Sequence, residues 1–168
     1  MAKFNAQGIE SLELSLEEFS KIPDNVVDEM LRAGGEVVVK AHKRSIEELG
    51  LVDSGKLRDS IKAHPKVLTK DGVRQRSVLV YPTGKHGTRN CKKVTKAYKR
   101  SKHGRTYTVG GDTVDVTNNE VGFVHEFGAP HRGIPASQWM QKANEASAND
   151  MVAAEFAVYD QWLKSLNL

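Results

Sequence analysis

The apolar residues of the first fifty positions recur every three or four residues, which is typical of helices with one buried face. A first helix is predicted from Ile9 to Ile22, and its apolar positions are Ile9, Leu12, Leu16 and Phe19. Pro23 marks a break, and a second helix is predicted from Asp24 to Leu49. Gly34 and Gly35 lie inside it. Since each glycine costs a helix about 1 kcal/mol relative to alanine, the pair predicts a bend or close packing against another element.

Two further helices are predicted from caps and spacing. Asp53 stands where the N-cap of a short helix would lie, and Leu57 and Ile61, four residues apart, share one face of it. Ser137 is predicted to cap a long helix that starts at Gln138 and ends at Leu166. The residues predicted on one side of this long helix are Trp139, Ala143, Val152, Phe156, Tyr159 and Leu163.

Extended segments are predicted between these helices. One runs to about Leu68, Lys70-Asp-Gly72 forms a turn, and a second strand follows from Val73 to Tyr81. The run Val121-Gly-Phe-Val-His-Glu-Phe-Gly128 places Val121, Phe123, His125 and Phe127 on one face of a strand, because side chains alternate along an extended chain. The hairpin is expected to pair with this strand.

A smaller hairpin is predicted from Thr106–Val109 and Thr113–Val116, on either side of Gly110-Gly-Asp112. The chain from Tyr81 to Val121 is longer than an ordinary connection in a compact domain, so it is expected to form a flexible or ribbon-like arm. The predicted fold class is α+β, an antiparallel sheet with helices packed on one face and a long C-terminal helix. One domain is expected over residues 1–168, with a basic insertion arm at about 83–119.

Composition agrees with a single globular domain: 39% of the 168 residues are hydrophobic and 27% are charged. No apolar run approaches the roughly 20 residues needed to span a bilayer, and the N-terminus lacks an apolar signal core. Cys91 has no second cysteine to pair with, which fits a reducing compartment. The protein is therefore expected to be made and kept in a cytoplasm.

The positive charge is concentrated in one segment. Between Thr83 and Thr106 there is no Asp or Glu, and the basic residues are Lys85, Arg89, Lys92, Lys93, Lys96, Lys99, Arg100, Lys102 and Arg105. These nine leave 16 basic residues against 21 acidic ones, a net charge of −5 for the rest of the chain. Clustered Lys and Arg neutralise phosphates, and Tyr98 and Tyr107 could stack on exposed bases. DNA is one predicted contact of this arm; an acidic neighbouring subunit, or solvent alone, is the other.

Several side chains could carry chemistry. A structural zinc site usually has four ligands, and the basic stretch offers only three candidates: His86, Cys91 and His103. They lack the short paired spacing of zinc ligands, and the nine surrounding cations would oppose a divalent metal. No zinc site is therefore predicted. His125 and Glu126 point to opposite faces of the predicted strand, and His131 is expected in a loop. No phosphate-binding loop or nucleophile elbow is present in the sequence. No catalytic residue, cofactor or metal is predicted.

Two spaced motifs carry a resemblance to a known family. The first is Val52-Asp-Ser-Gly-Lys-Leu-Arg-Asp-Ser-Ile61, and the second is Glu126-Phe127-Gly128 followed by Pro135-Ala136, Trp139-Met140 and Ala143. In this order the chain resembles the small neck and tail-component proteins of long-tailed bacteriophages. The residues that the resemblance marks for the fold or for neighbour contacts are Val52, Asp53, Gly55, Leu57, Ser60, Glu126, Phe127, Gly128, Pro135 and Trp139.

The resemblance implies a non-enzymatic virion protein that forms a ring, with sixfold symmetry suggested, at the head-tail junction or tail end. Such a ring would join head to tail, surround the DNA channel, and contact other copies of itself, the head connector or adaptor, the tail tube and the genomic DNA. Assembly is expected in the bacterial host cytoplasm, without a membrane partner. A freestanding nucleic-acid-binding protein that works through the basic arm is the alternative. A small hydrolase using His125, Glu126 and His131 is a third hypothesis.

Overall fold

The computed structural model describes residues 22–70, 73–90, 98–99, 106–107 and 113–166. Four α-helices are described: α1 (Asp24–Glu48), α2 (Lys56–Asp59), α3 (Asn118–Phe127) and α4 (Trp139–Ser165). The described strands are β1 (Ile61–Lys70), β2 (Val73–Pro82), β3 (Lys85–Asn90), β4 (Tyr98–Lys99), β5 (Thr106–Tyr107) and β6 (Thr113–Thr117). A 3-10 turn occupies Pro130–Arg132. The α+β prediction is confirmed, whereas the helix predicted from Ile9 lies almost wholly outside the described residues.

The helix α1 confirms the prediction for Asp24–Leu49 and ends one residue earlier. Pro23 precedes its first turn, where a missing N–H does no harm. Arg76 of β2 binds the carboxylates of Asp24 and Asp28, and so ties the start of α1 to the hairpin. Towards its end, α1 buries Ile46 completely.

The β1–β2 hairpin is also confirmed. The strands are antiparallel and in register from Ile61 opposite Pro82 to Lys70 opposite Val73. They form a two-stranded sheet, so the prediction that a strand at Val121 joins them is wrong. Both strands pack against α1 on one face.

The glycine pair in α1 serves close packing, one of its two predicted roles. Both glycines are buried: Gly34 faces Glu155 of α4, and Gly35 faces Val78 and Ala63 of the hairpin. A β-carbon at Gly35 would lie 2.9 Å from Cγ1 of Val78. The two glycines therefore let α1 approach α4 on one side and the sheet on the other.

Alanine substitutions at these two positions should have different effects. We expect Gly35→Ala to destabilise the fold by about 1–2 kcal/mol, because crowding against Val78 outweighs the gain of about 1 kcal/mol in helix propensity. Gly34→Ala should be close to neutral, because the end of the Glu155 side chain can move aside. Chemical denaturation of both variants measures the difference, and equal stabilities would contradict this account of the packing.

The segment from Val121 to Phe127 is helical, and its prediction as a strand is wrong. Thr117 begins α3 with a capping box, in which its side chain accepts a hydrogen bond from the Glu120 N–H and the Glu120 carboxylate accepts one from the Thr117 N–H. The buried residues of α3 are four apart, as a helix requires: Asn118, Gly122 and Glu126. The alternation read from the sequence is a coincidence of residue types.

The described parts of the basic segment are paired strands, and we call them the ribbon; the arm predicted over about 83–119 lies largely outside the described residues. β3 pairs with β6, so that Asn90 lies opposite Thr113, and β4 pairs with β5, so that Lys99 lies opposite Thr106. The predicted hairpin between the strands near Thr106 and Thr113 is therefore wrong. Each of these strands pairs instead with a partner from the first half of the segment.

Both predicted caps are wrong as well. The residue before α2 is Gly55 in a left-handed conformation, and Asp53 makes no capping hydrogen bond. Gln138, with φ of +53°, precedes α4, and the hydroxyl of Ser137 donates instead to the carbonyl of His125. The long helix itself is confirmed over Trp139–Ser165.

The core lies where α1, α2, β1 and α4 meet. Its buried cluster consists of Ile46, Leu57, Ile61 and Trp139. α4 runs antiparallel to α1, because Ser45 bonds to the carbonyl of Trp139 near one end and Gly34 faces Glu155 towards the other. Of the residues predicted on one side of the long helix, Trp139 and Ala143 are buried, whereas Val152 and Phe156 are exposed.

Candidate functional site

The end of α3 is joined to the start of α4 by a tight corner. The buried carboxylate of Glu126 accepts hydrogen bonds from the backbone N–H groups of Met140 at 2.7 Å and Gln141 at 3.2 Å. These belong to the first turn of α4, whose N–H groups have no partner within the helix. A negative charge at a helix N-terminus is also favourable to the helix dipole. Glu126 is thus the cap that Ser137 was predicted to be.

The carbonyl groups at the end of α3 are satisfied from the same corner. The N–H and the hydroxyl of Ser137 both donate to the carbonyl of His125, at 2.8 and 2.7 Å. The N–H of Gln138 donates to the carbonyl of Glu126 at 3.2 Å. The corner therefore fixes the angle between α3 and α4 through both helix termini.

Gly128 is the tightest point of the corner. Its φ of +74° and ψ of 174° lie in a region that only glycine adopts readily. A β-carbon there would lie 2.7 Å from the N of Ala136 and 2.9 Å from the O of Ile134. Ala129 and Ile134 form a β-bridge just beyond it, across the 3-10 turn.

The two sequence motifs meet at Gly122 in α3. A β-carbon at Gly122 would lie 3.3 Å from the Trp139 ring and 3.4 Å from a methyl group of Leu57. The indole N–H of Trp139 donates to the Gly122 carbonyl at 3.0 Å. Sequence reasoning missed Gly122, although its place four residues after Asn118 and four before Glu126 is a helical signal.

Some of the remaining motif residues contribute to the core, and others lie at the surface. Ser60 donates its hydroxyl to the Leu57 carbonyl at 2.7 Å and so closes the short helix. Val52, Asp53 and Pro135 are exposed. The structure therefore brings Leu57, Gly122 and Trp139 into one core and leaves the turn before α2 at the surface.

His42 of α1 is buried beside Trp139, with the two rings edge to face and 5.4 Å between centroids. Its Nε2–H donates to Oδ1 of Asn144 at 2.8 Å, since a carbonyl oxygen can only accept. Its Nδ1 is buried without a hydrogen-bond partner. Burial lowers the pKa of His42, although the Asn144 bond and the charge of Glu126 act in the opposite direction.

Acid should therefore destabilise the fold through His42. Because its pKa is lower in the folded chain than in the unfolded chain, the unfolded state binds more protons below about pH 6.5, and stability falls as the pH falls through that range. We expect His42→Gln to show a shallower loss of unfolding free energy between about pH 7 and pH 5 than wild type. Burial and the charge of His86 also lower the pKa of His125, which is present in both proteins. The contribution of His42 is therefore the difference between the two slopes, measured over the same pH series. Identical slopes would contradict a titrating role for His42.

Asn118 anchors the ribbon to the body and was not singled out from the sequence. Its side-chain amide donates to the Thr83 carbonyl at 2.8 Å, and its Oδ1 lies 2.9 Å from Nδ1 of His86. Lys56 of α2 donates to the His86 carbonyl at 2.9 Å. The base of the ribbon is therefore fixed to α2 and α3.

Of the nine basic residues, two have described side chains near this base. Lys85 pairs with Asp115 across the ribbon at 2.6 Å, and Arg89 is exposed. Lys99 lies in β4. The others lie outside the described residues: Lys92, Lys93, Lys96, Arg100, Lys102 and Arg105. Their contact with DNA or with a neighbouring subunit stays a prediction.

An exposed aromatic pair dominates the outer face of α3. Phe123 is 60% exposed and Phe127 is 64% exposed, with ring centroids 4.6 Å apart. Beside them lies a groove of about 790 Å³ between α3, the ribbon base and the 3-10 turn. We call Phe123, Phe127 and this groove the aromatic groove.

Three residues that could take part in catalysis lie at the end of α3 and on the 3-10 turn: His125, Glu126 and His131. Glu126 is occupied by two backbone N–H groups, and His131 is exposed on the 3-10 turn. In the part of the chain that the structure describes, no group of three or more His, Cys, Asp or Glu side chains could hold a metal ion. Cys91 and His103 lie outside it.

None of the described helices is both long and apolar enough for a bilayer crossing. No match was found among curated proteins or solved structures. Residues 10–121, about two thirds of the chain, match the family model described as "Bacteriophage HK97-gp10, putative tail-component". The matched range contains the Val52–Ile61 motif and ends inside α3, before Glu126. The resemblance drawn from the two motifs is confirmed, and the chain belongs to the HK97-gp10-like family of bacteriophage tail components.

Proposed function

We propose that this tail component is a ring-forming subunit at the head-tail junction or the tail end. In this role it contacts further copies of itself and links the head connector or adaptor to the tail tube around the DNA channel. Sixfold symmetry fits a tail end, and the family supports the structural role in the virion. A closed ring requires each subunit to present two different, complementary surfaces.

The observation that carries this proposal is the aromatic groove. Two phenylalanines more than half exposed and packed on each other leave a large apolar area in water, which in a stable protein marks an interaction surface. Aromatic side chains are also enriched where interfaces are strongest. The corner formed by Glu126 and Gly128 holds α3 rigidly against α4, so the surface needs little ordering on binding.

The basic ribbon gives the ring a second property. It leaves the body at Thr83 and returns at Thr117, and Asn118 fixes its base. Subunits arranged in a ring would repeat its positive charge around the axis, where DNA passes. An arm that embraces the body of the next subunit is equally consistent with the net charge of the rest of the chain.

Light scattering on the purified chain, alone and with tail tubes, tests ring formation. We expect a discrete oligomer, on the tubes if not in free solution. A chain that stays monomeric in both conditions would contradict the proposal. The expected oligomer mass also fixes the number of subunits.

Neutralising the ribbon should impair function without unfolding the protein. We expect a Gln replacement of Lys92, Lys93, Lys99 and Arg100 to keep the wild-type melting temperature and to reduce DNA retention or head-tail joining, because phosphate or subunit contacts are lost. The matched control replaces four lysines of the body: Lys40, Lys43, Lys62 and Lys66. Yields of infectious particles equal to wild type for the ribbon variant would contradict the prediction.

The second candidate function is a freestanding nucleic-acid-binding protein, and the nine clustered cations favour it. Salt-titrated binding to DNA separates the two functions. Sub-micromolar binding by a monomer that weakens steeply with salt would support this candidate. Weak binding together with ring formation would support the tail component.

A further inference from the structure

The distal half of α4 and the residue that follows it carry an apolar stripe that is exposed at three of its five positions. Its members are spaced by four, three, four and three residues: Val152, Phe156, Tyr159, Leu163 and Leu166. Such spacing forms a seam along one side of a helix. Val152, Phe156 and Leu166 are exposed by 43%, 53% and 48%. Val152 and Phe156 lie outside the face towards α1, which contains Ala143, Ser147 and Glu155. We call these five residues the distal stripe.

The aromatic groove offers a surface of the matching kind. Its floor and walls include the apolar side chains of Val116, Val121, Val124, Ala129 and Ile134, next to Phe123. Its volume of about 790 Å³ is enough for large side chains. The groove and the distal stripe are thus two separate apolar surfaces on one chain.

The charges around the two surfaces are complementary. Residues 145–166 contain one basic residue, Lys164, against four acidic ones, which gives a net charge of −3: Glu145, Asp150, Glu155 and Asp160. The groove is bordered by Arg89 and Arg132, together with His131. Its one acidic residue, Glu120, is engaged in the capping box with Thr117. The acidic helix and the basic rim of the groove attract each other. This favours a contact between a distal stripe and an aromatic groove over a contact between two grooves or between two stripes.

We propose that the distal stripe of one copy docks in the aromatic groove of the next, with Phe156 as the central anchor against Phe123 and Phe127. This inference rests on the proposed ring and names the two surfaces that build it. The contact is heterologous, so each copy keeps one groove and one stripe for its two neighbours. Repetition of the same contact then closes the ring.

Two double variants test the contact. The groove variant carries Phe123→Gln and Phe127→Gln, and the stripe variant carries Val152→Gln and Phe156→Gln. All four residues are exposed, so both variants should keep the wild-type melting temperature within a few degrees. Light scattering should show that each variant alone is monomeric where wild type is oligomeric. An equimolar mixture should give dimers and nothing larger, because only one intact groove and one intact stripe are available per pair.

The control variant carries Val67→Gln and Leu79→Gln, which remove comparable exposed apolar side chains from the hairpin. It should assemble as wild type does. If wild type assembles only on tail tubes, the same mixtures are measured there, and each variant alone should leave the tubes without a ring.

Other outcomes overturn the inference. Wild-type assembly by either variant alone would exclude the contact while leaving the ring proposal in place. A groove variant that still dimerises with itself would indicate a contact between two distal stripes. A stripe variant that dimerises with itself would indicate a contact between two aromatic grooves. A wild-type chain that is monomeric both free and on tubes would contradict the ring itself, and the inference with it.

Discussion

Trp139→Ala is expected to destabilise the protein by about 3–5 kcal/mol, which is the usual loss when a large buried aromatic is removed from a core. Trp139 is completely buried between Ile46, Leu57 and Ile61, and its indole N–H satisfies the Gly122 carbonyl. The variant loses that hydrogen bond and leaves a cavity where α1, α3 and α4 meet. For a chain of this length, roughly 2–4 °C of melting temperature is lost per kcal/mol.

Trp162→Ala is the matched control for this substitution. Trp162 lies in the same helix but is only partly buried, with its ring centroid 5.8 Å from that of Tyr159. Its loss should be clearly smaller when both variants are unfolded in denaturant. Equal losses, or a Trp139→Ala variant as stable as wild type, would show that the core lies elsewhere.

Gly128→Ala is expected to cost about 3 kcal/mol or more. The backbone at Gly128 is in a region essentially restricted to glycine, and strain of this kind costs on the order of 1–3 kcal/mol. The added methyl group would also press on the backbone of Ile134 and Ala136, which cannot move aside as a side chain can. The corner would have to open, and with it the hydrogen bonds between α3 and α4.

Gly133→Ala provides the comparison within the same loop. Gly133 also has a positive φ, +67°, but nothing lies within 4 Å of the position that its β-carbon would take. Its substitution should cost only about 1–2 kcal/mol, the ordinary strain of a left-handed residue. The difference between the two denaturation midpoints measures the combined cost of crowding and of the glycine-restricted backbone at Gly128, and a difference near zero would contradict that cost.

The sequence was sufficient for the elements with strong local signals. α1 is long, follows a proline and was predicted to within one residue. The β1–β2 hairpin follows a short helix, and its pairing is local, with Lys70 opposite Val73. The burial of Trp139 followed from its place at the start of a long amphipathic helix.

The helix α3 was mistaken for a strand because eight residues of mixed type fit both periods. Phe123, His125 and Phe127 alternate as in a strand, yet the side that packs inward is that of Gly122 and Glu126. The local signals for a helix are the capping box at Thr117 and the four-residue spacing of Gly122 and Glu126. The role of Glu126 as a cap for α4 joins two helices across a loop, and no periodicity contains that information.

The pairing within the ribbon and the exposure of the aromatic side chains depend on distant parts of the chain. β3 and β6 are joined through more than twenty intervening residues, so the nearer strand seemed the better partner. An apolar stripe such as that of Val152 and Phe156 looks the same in sequence whether it faces the core or a neighbouring molecule. In the structure α1 packs against α4, and Val152 and Phe156 remain exposed.

A cryo-electron microscopy reconstruction of the phage neck and tail tests the central claim most directly. We expect a closed ring of this chain at the head-tail junction or tail end, with Phe123 and Phe127 of each copy buried against its neighbour. A reconstruction in which the chain is absent from these positions, or present there with the aromatic pair exposed to solvent in every copy, would contradict it.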